Sequence, residues 1–313
     1  MKLSTPRWWY VREGAPAPIT RALLKPMSWI WTAATARRMA RARPVDPGAP
    51  VICVGNLTVG GSGKTPVVRE LLRRLPGAHG LSRGYGGSEH GPLRVDPARH
   101  AAAEVGDEPL MLAAEAPIWI ARDRAAGALA AVDAGASAII MDDGHQNPSL
   151  KKALSLVVVD GETRNGVWPL GDGSVFPAGP LREPLAVGLA RADAVILMLP
   201  ADLERPDPEL LAALAAKPVL VARLEPAEPP PPGPQVGFAG IGMPWKVERA
   251  LKAAGCELVD FVPFPDHFAY DAAALKLIEG RAEIFDAGLV TTGKDWVRLP
   301  PAWRDRARAW PVR

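Results

Sequence analysis

Short apolar runs alternate with helix-length amphipathic segments along most of this chain. The apolar runs lack a polar residue at every second position, which is typical of strands buried on both faces of a parallel sheet. Their alternation with helical segments predicts an α/β fold. The predicted strands are 50–55, 117–121, 138–142, 154–160, 193–199, 218–224, 235–239 and 257–262. The predicted helices are 64–75, 107–116, 122–134, 207–216, 244–254 and 271–284.

The length of the chain and one turn-rich stretch predict two α/β domains. A chain of 313 residues is long enough for two separate cores. Residues 161–190 are rich in turn-forming residues and are the best candidate for a hinge. We therefore predict a separate segment of residues 1–45, a first domain over residues 46–165 and a second, smaller domain over residues 166–313 that closes over the first. The proline-rich stretch 225–235 predicts a stiff surface connection within the second half.

The first 45 residues carry nine lysine and arginine residues against one acid, Glu13, although the whole chain has a net charge of only +3. Leu23, Trp29 and Ile30 lie among these cations. The uncharged run 26–36 is shorter than the roughly 20 residues that span a bilayer. Basic segments that contain Trp and Leu can lie in the membrane interface, held by anionic headgroups and buried apolar area. We therefore expect a membrane-associated helix; the alternative is a helix packed on its own domain with a solvated basic face.

The rest of the composition excludes other classes of partner. Two cysteines, Cys53 and Cys256, lie far apart in apolar runs without a CxxC pattern, which predicts buried reduced thiols in a cytosolic protein. Outside the basic segment the chain is net acidic and shows no aromatic stacking platform. We therefore expect no nucleic-acid partner.

The stretch 51–75, VICVGNLTVGGSGKTPVVRELLRRL, runs from an apolar strand through a glycine turn into a helix. The backbone N–H groups of a phosphate loop wrap the β-phosphate, its lysine reaches the β- and γ-phosphates, and the next hydroxyl binds Mg²⁺. The strict pattern G-x-x-x-x-G-K-[ST] requires glycine at position 58, where this chain has Thr58; the neighbouring glycines still leave the loop free to bend. The order of elements predicts a nucleotide site, and a chance glycine turn is the alternative. The predicted nucleotide contacts are Thr58, Val59, Gly60, Gly61, Ser62, Gly63, Lys64 and Thr65.

Acidic residues follow two other apolar or glycine-rich stretches. Asp142 and Asp143 come directly after a predicted buried strand. Open α/β sheets bind ligands at the carboxyl ends of their strands, so this pair and Thr65 are predicted to hold Mg²⁺ beside the phosphate loop. Turn or helix-capping aspartates are the alternative. Asp107 and Glu108 stand at a glycine turn before an apolar helix, and by themselves they have the pattern of a helix cap.

Seven stretches, in this order along the chain, resemble the tetraacyldisaccharide 4′-kinases, the lipid A 4′-kinases of the Gram-negative envelope. The resemblance covers roughly residues 20–300, and it includes a threonine or similar residue at the position of Thr58. The basic, Trp-bearing N-terminus is similar to the membrane-associated segment of that family. The stretches are VGNLTVGGSGKTP (54–66), LSRGYGG (81–87), VGDEP (105–109), RDR (122–124), MDDGHQ (141–146), FPAGPLREP (176–184) and FPDHF (264–268).

The resemblance implies transfer of the γ-phosphate of ATP, with Mg²⁺, to the 4′-hydroxyl of a tetraacylated glucosamine disaccharide 1-phosphate at the cytoplasmic face of the inner membrane. It implies a P-loop domain with a parallel sheet and a second α/β domain. Lys64 would act on the transferring phosphate, Asp107 would be the base, and His267 would be its partner across the cleft. Arg122 and Arg182 are candidate clamps for phosphate, since a guanidinium group binds two phosphate oxygens at once; ordinary surface ion pairs are the alternative.

Three segments depart from the family pattern. The family's DDGFQH appears here as DDGHQN (142–147), its GIGHP as GIGMP (240–244), and its TEKD as TGKD (292–295). Arg83 and Tyr85 of the SRGYGG stretch are weaker candidates for nucleotide or sugar contacts.

Two other classes of protein also combine a phosphate loop with acidic strand ends. A P-loop GTPase or metallochaperone would read guanine with [NT]-K-x-D, and Lys294 and Asp295 are adjacent, which does not fit. A non-catalytic ATP-binding membrane adaptor would need the phosphate loop but neither Asp107 nor His267.

Overall fold

The structure is a computed structural model that describes residues 6–11 and 17–313, apart from the side chain of Arg7. Its larger sheet has eight strands in the order β3-β4-β2-β5-β1-β6-β7-β8. All neighbouring strands are parallel except β3 and β4. The strands are β1 Val51–Asn56, β2 Ala78–Ser82, β3 Leu93–Arg94, β4 Ile118–Ile120, β5 Ala138–Asp142, β6 Leu154–Asp160, β7 Ala194–Pro200 and β8 Val219–Leu224.

A second, four-stranded sheet follows along the chain, with the order β10-β9-β11-β12. All of its neighbouring strands are parallel. Its own core includes Val236, Phe238, Ile278 and Leu289. The strands are β9 Gln235–Ala239, β10 Leu258–Pro263, β11 Gly288–Thr291 and β12 Ala307–Ala309.

Helices connect and cover the strands, and a short 3-10 helix, Arg7–Tyr10, precedes them. The helices are α1 Pro18–Arg41, α2 Lys64–Arg74, α3 Ala102–Val105, α4 Asp107–Ala113, α5 Arg124–Asp133, α6 Leu185–Ala190, α7 Pro208–Leu214, α8 Pro244–Ala253, α9 Ala272–Phe285, α10 Gly293–Trp296 and α11 Pro301–Arg304.

The eight predicted strands and six predicted helices are all present, with ends that differ by a few residues. Strands β2, β3, β11 and β12 were not predicted. Strand β2, with the sequence AHGLS, is buried along its whole length but has only one large apolar side chain, Leu81. Its strand conformation comes from its place between β4 and β5, which a local pattern does not reveal.

The boundary between the sheets differs from the predicted boundary between residues 165 and 166. Strands β7 and β8 extend the first sheet, so the division falls between Leu224 and Gln235. The turn-rich stretch 161–190 is not a free hinge, because its Leu170 and Leu181 are buried against the first sheet. The proline-rich stretch 225–235 makes the connection instead.

The end of the chain runs beside this connection. Glu225 and Arg313 exchange backbone hydrogen bonds of 2.9 and 2.8 Å, and Pro226 forms a bridge to Val312. The two sheets are therefore joined by a pair of strand-like segments at one end.

Helix α8 of the second sheet also rests on the first. Lys246 Nζ lies 2.5 Å from Asp160 Oδ2, and Arg249 donates to the buried Glu162 carboxylate, which Arg164 also contacts. Asp202, which follows β7, lies 2.9 Å from Arg164. Ion pairs thus fix α8 against the carboxyl ends of β6 and β7.

Helix α1 packs on the first sheet domain through polar residues. Arg21, Ser28 and Thr35, each seven residues apart, are buried, whereas Leu23 and Ile30 are 73% and 70% exposed. The helix thus packs on its own domain with Lys25, Arg37 and Arg41 exposed, as in the alternative, but it also exposes large apolar side chains. Lys2, Arg12 and Glu13 of the predicted basic segment lie outside the described residues. Within residues 6–11 and 17–313, no helix is long and apolar enough to cross a membrane.

Candidate active site

The loop between β1 and α2 has the backbone geometry of an anion site. Gly60 and Gly63 have φ angles of 106° and 80°, a region that glycine adopts without strain. Thr58 instead forms a β-bridge with Leu181, so position 58 does not require a glycine here. Helix α2 begins at Lys64, and no side chain caps it. Its first N–H groups are therefore available to a phosphate.

The Asp142–Asp143 pair lies at the same edge of the sheet as this loop, because β5 is the parallel neighbour of β1. Asp143 Oδ1 lies 3.4 Å from Lys64 Nζ and 2.8 Å from Arg182 Nη1. Burial would raise the pKa of Asp143, but these two cations outweigh it and lower the pKa to about 2. Burial raises the pKa of Asp142.

These residues fit a divalent cation. Asp142 is buried, and its Oδ1 has no hydrogen-bond partner among the described residues. Thr65 stands next to Lys64 at the start of α2, as a metal-binding hydroxyl must. A carboxylate oxygen without a donor beside the phosphate loop is suited to Mg²⁺, which prefers oxygen ligands.

The two arginines of the RDR stretch have different environments. Arg122 is exposed, and its backbone N–H donates to His90 O. Arg124 is buried, and burial lowers its pKa to about 10 against the opposing charges of Asp142 and Asp143. The sequence interpretation named Arg122 and did not name Arg124, the one that lies near the Asp142–Asp143 pair. The position of Arg124 at the start of the alanine-rich helix α5 was the sequence signal that could have indicated it.

Asp107 and His267 meet across the cleft between the sheets. His267 Nδ1 lies 2.9 Å from Asp107 Oδ2. Asp107 is the first residue of α4, and its Oδ1 accepts a hydrogen bond of 3.1 Å from the N–H of Glu108, so its other oxygen is the one directed to His267. His267 lies before α9 with a φ of 55°, and its N–H donates to Gly240 O. The structure therefore brings together two residues that are 160 positions apart.

Two cations from the second sheet domain surround Asp107. Arg298 Nε lies 2.9 Å from Asp107 Oδ2, and Lys294 Nζ lies 3.8 Å from the same oxygen. Burial would raise the pKa of Asp107, but the hydrogen bond from His267 and these cations lower it instead. The pKa of Glu108 is raised to about 7 by burial and by Asp107. Neither Lys294 nor Arg298 was among the predicted site residues.

Asp107, Glu108 and His267 offer ligand atoms within 4.8 Å of one another, a spacing that could also hold a metal. Lys294 Nζ lies 2.6 Å from Glu108 Oε1, so an ammonium group already balances these acids. The cluster is therefore better described as an ion-pair network than as a metal site.

The cluster and the phosphate loop belong to one cleft. A Cβ placed on Gly242 would lie 3.9 Å from the Gly61 nitrogen and 3.6 Å from Asp266 Oδ2. The exposed Tyr85 ring lies 5.6 Å from the His267 ring, and Arg83 is exposed nearby in the chain. The segment around Gly242 thus lies between the phosphate loop and the residue that precedes His267.

The sequence model of the tetraacyldisaccharide-1-P 4′-kinase family matches residues 20–313. The chain belongs to this family. The resemblance drawn from the seven stretches is confirmed.

Relatives in the tetraacyldisaccharide-1-P 4′-kinase family are similar along the whole chain. The tetraacyldisaccharide 4′-kinase of Phenylobacterium zucineum is 72% identical over 313 residues, which are 100% of this chain and 95% of that protein. The protein of the same name from Caulobacter vibrioides is 71% identical over 317 residues, with the same coverage of each chain. A crystal structure of LpxK from Aquifex aeolicus in complex with ATP is 26% identical, with a TM-score of 0.71 over 94% of each chain. The predicted α/β fold of the family is therefore confirmed.

Proposed function

We propose that this protein is a tetraacyldisaccharide 4′-kinase, which transfers the γ-phosphate of ATP to the 4′-hydroxyl of tetraacyldisaccharide 1-phosphate. The product is the 1,4′-bisphosphorylated lipid A precursor. The observation that carries the proposal is a single cleft that contains a phosphate loop with Lys64 and the hydrogen-bonded pair Asp107–His267. The similarity to named kinases over the full chain supports the identity of the acceptor.

Lys64 and the N–H groups at the start of α2 would hold the β- and γ-phosphates. Phosphoryl transfer depends mainly on positioning and on stabilising the charge of the transferred group. Thr65, Asp142 and Asp143 would hold Mg²⁺, which when bound neutralises charge on the phosphates. Lys64 contacts Asp143 here, so its ammonium group is already directed toward the site.

The acceptor hydroxyl becomes a good nucleophile when its proton can leave. Asp107 would be the base, with His267 as its hydrogen-bond partner, and the proton is assigned to the pair because two strongly interacting groups titrate together. Asp107 and His267 come from different sheet domains, so the pair that they form at 2.9 Å would also hold the cleft closed and help exclude water from the phosphate.

Arg182 is the better supported of the two proposed phosphate clamps. Its guanidinium group donates to Thr58 O and to Asp143, so it bridges the phosphate loop and the proposed metal site. Arg122 is exposed at the rim of the domain, and a role for it requires that substrate binding brings a phosphate to it.

The outer face of α1 would dock on the cytoplasmic face of the inner membrane. Ile19, Leu23, Trp29 and Ile30 are each at least 69% exposed. Apolar residues on the outside of a helix whose polar residues are buried require a partner, and a lipid surface matches both this face and the basic charge of the segment. Docking there would hold the site close to its acylated substrate.

The test is incubation of the detergent-solubilised protein with γ-labelled ATP, Mg²⁺ and tetraacyldisaccharide 1-phosphate. The expected result is a labelled lipid with one additional phosphate at the 4′-position. GTP in place of ATP serves as the comparison for the GTPase interpretation. Label that passes only to water, or no labelled lipid at any protein concentration, would overturn the proposal.

A further inference from the structure

Lys294 lies at the centre of the ion-pair network in the cleft. Its Nζ atom is 2.6 Å from Glu108 Oε1, 3.8 Å from Asp107 Oδ2 and 3.9 Å from Asp266 Oδ1. The same atom is 3.5 Å from His267 Nε2. One ammonium group therefore lies near two acids of the first sheet domain, Asp107 and Glu108. It also lies near two consecutive residues of the second domain, Asp266 and His267.

The fold holds this lysine in place through the next residue. Asp295 is fully buried, and its carboxylate accepts hydrogen bonds of 2.8 Å from Gly240 N, 2.7 Å from Tyr270 Oη and 2.6 Å from Thr292 Oγ1. Asp295 thus ties helix α10 to Gly240 and to Tyr270, while Thr292 caps the start of the same helix. The Lys294 side chain is only 21% exposed. The buried Asp295 fixes the backbone of Lys294, and the Lys294 side chain extends into the cleft and not into solvent.

The positive charge of Lys294 balances three carboxyl groups that lie close together. Asp107, Glu108 and Asp266 would repel one another in a poorly solvated site without a cation. Burial opposes the charge on Lys294, but Glu108 and Asp107 outweigh it, so the pKa of Lys294 is raised. Arg298 also contacts Asp107, but it is committed to the backbone as well, because it donates to Gly240 O.

Lys294 also lies beside the imidazole ring of His267. Its Nζ atom is 3.5 Å from His267 Nε2, at the outer limit of a hydrogen bond, while His267 Nδ1 lies 2.9 Å from Asp107 Oδ2. The positive charge of Lys294 therefore faces both members of the Asp107–His267 pair.

We propose that Lys294 is a positioning residue for the proposed reaction: its ammonium group joins the two sheet domains at Asp107, Glu108 and His267 and keeps the Asp107–His267 pair in its proton-accepting state. This inference rests on the proposed kinase function. It assigns Lys294 a charge-setting role in the acceptor half of the site, distinct from the phosphate-holding role of Lys64.

The consequence is a defined pH dependence. The pair accepts a proton only while it is unprotonated, so turnover falls as the pH drops through its apparent pKa. Removal of a positive charge next to the pair raises that pKa, and the acid limb of the turnover profile moves to higher pH. The charged or titratable groups that face the pair are Tyr85 from the glycine-rich loop, Glu108 from α4, Asp266 before α9, and Lys294 and Arg298 from α10 and the turn after it.

The experiment compares Lys294→Met and Lys294→Arg in the full-length protein, with turnover measured from acid to alkaline pH at saturating ATP and lipid. For Lys294→Met we expect a ten- to hundredfold loss of turnover at the wild-type optimum. We also expect an upward shift of the acid limb by about one pH unit. Lys294→Arg should keep the wild-type limb. Lys276→Met, at an exposed position on α9, is the matched control and should behave as wild type.

Two further measurements separate this role from the alternatives. ATP affinity of Lys294→Met should stay within about twofold of wild type, because the proposed role is on the acceptor side. Thermal melts identify a variant that fails to fold, and Lys294→Gln then replaces Lys294→Met as the uncharged variant. A normal acid limb with weakened ATP binding would overturn the inference, and so would uniform loss of turnover at every pH. A wild-type protein that makes no bisphosphorylated lipid would instead overturn the proposed function.

Discussion

Replacement of Asp107 by asparagine tests the proton-accepting pair most directly. Asparagine keeps the shape of the side chain and an oxygen for the Glu108 N–H, which donates to Asp107 Oδ1 at 3.1 Å. It removes the negative charge that His267 and Arg298 contact, both at 2.9 Å. The matching change at the partner is His267→Gln.

The magnitude follows from what the pair supplies. A positioned general base contributes about 10²- to 10⁴-fold to a rate, so Asp107→Asn should lower turnover by that order. The variant should also lose about 1.5–3 kcal/mol of stability, because it removes one of the two carboxylates that contact the buried Arg298, whose Nη1 still lies 3.1 Å from Asp295 Oδ1. If Asp107 acted only as a helix cap, the loss would be about 1 kcal/mol of stability with little change in turnover.

The assay is steady-state turnover of both single variants and the double variant, alongside ATP binding and thermal melts. ATP affinity should change little, because neither side chain is part of the phosphate loop. The loss of turnover in the double variant should be smaller than the product of the two single losses. Once one member of the pair is replaced, the other no longer contributes to proton acceptance, so its replacement has little further effect. A non-catalytic adaptor would bind ATP equally well in all three variants and the wild type, with no turnover to lose.

The reasoning would be refuted by near-normal turnover of Asp107→Asn together with a lowered melting temperature. It would also be refuted by strictly multiplicative losses in the double variant. The first result would restore the structural role for Asp107, and the second would mean that the two residues act in separate steps.

Three other predictions concern the phosphate loop, the membrane face and the contact between the domains. Lys64→Ala should lower turnover by several orders of magnitude, measured under saturating ATP, since charge clamps on a transferring phosphoryl group contribute several kcal/mol; wild-type turnover would contradict the assigned role. Leu23→Glu with Ile30→Glu should weaken sedimentation with anionic vesicles by about a hundredfold or more, because each change removes roughly 1.5–3 kcal/mol of apolar burial, whereas equal sedimentation would exclude this face. Glu162→Gln should lower the free energy of unfolding by about 2 kcal/mol at neutral pH. Burial opposes the ionised form of Glu162, but the hydrogen bonds from Arg164 and Arg249 lower its pKa from 4.5 to about 2. The stabilisation by ionised Glu162 is therefore fully present above pH 4.5 and is lost as the pH falls toward 2. Denaturation curves of the wild type and the variant should accordingly converge in acid.

The sequence by itself determined the elements whose signal is local. Uninterrupted apolar runs such as β1 and β6 leave no face for solvent, so they had to be buried strands of a parallel sheet. The order of strand, glycine turn, Gly63-Lys64-Thr65 and helix similarly predicted the loop that we propose to hold phosphate. Asp142 and Asp143 followed from their place at the end of an apolar strand. The strand prediction is confirmed, and the two site predictions likewise depend only on neighbours along the chain.

The tertiary structure decided what depends on neighbours in space. Strand β2 is a strand because β4 and β5 flank it, and residues 161–190 belong to the first sheet because Leu181 is buried there. Helix α1 is oriented with Ser28 inward and Leu23 outward, and the Ser28 hydroxyl donates a hydrogen bond to Val175 O of the first sheet domain.

The same holds for the acceptor half of the site. Lys294 stood in the TGKD stretch without an assigned role and Arg298 stood outside the noted stretches, and only the fold brings them to Asp107, nearly two hundred residues earlier in the chain. The charge on a carboxylate in a cleft is set by whichever cations the packing brings within a few ångströms, because Coulomb interactions and desolvation depend on distance in space and not on separation along the chain.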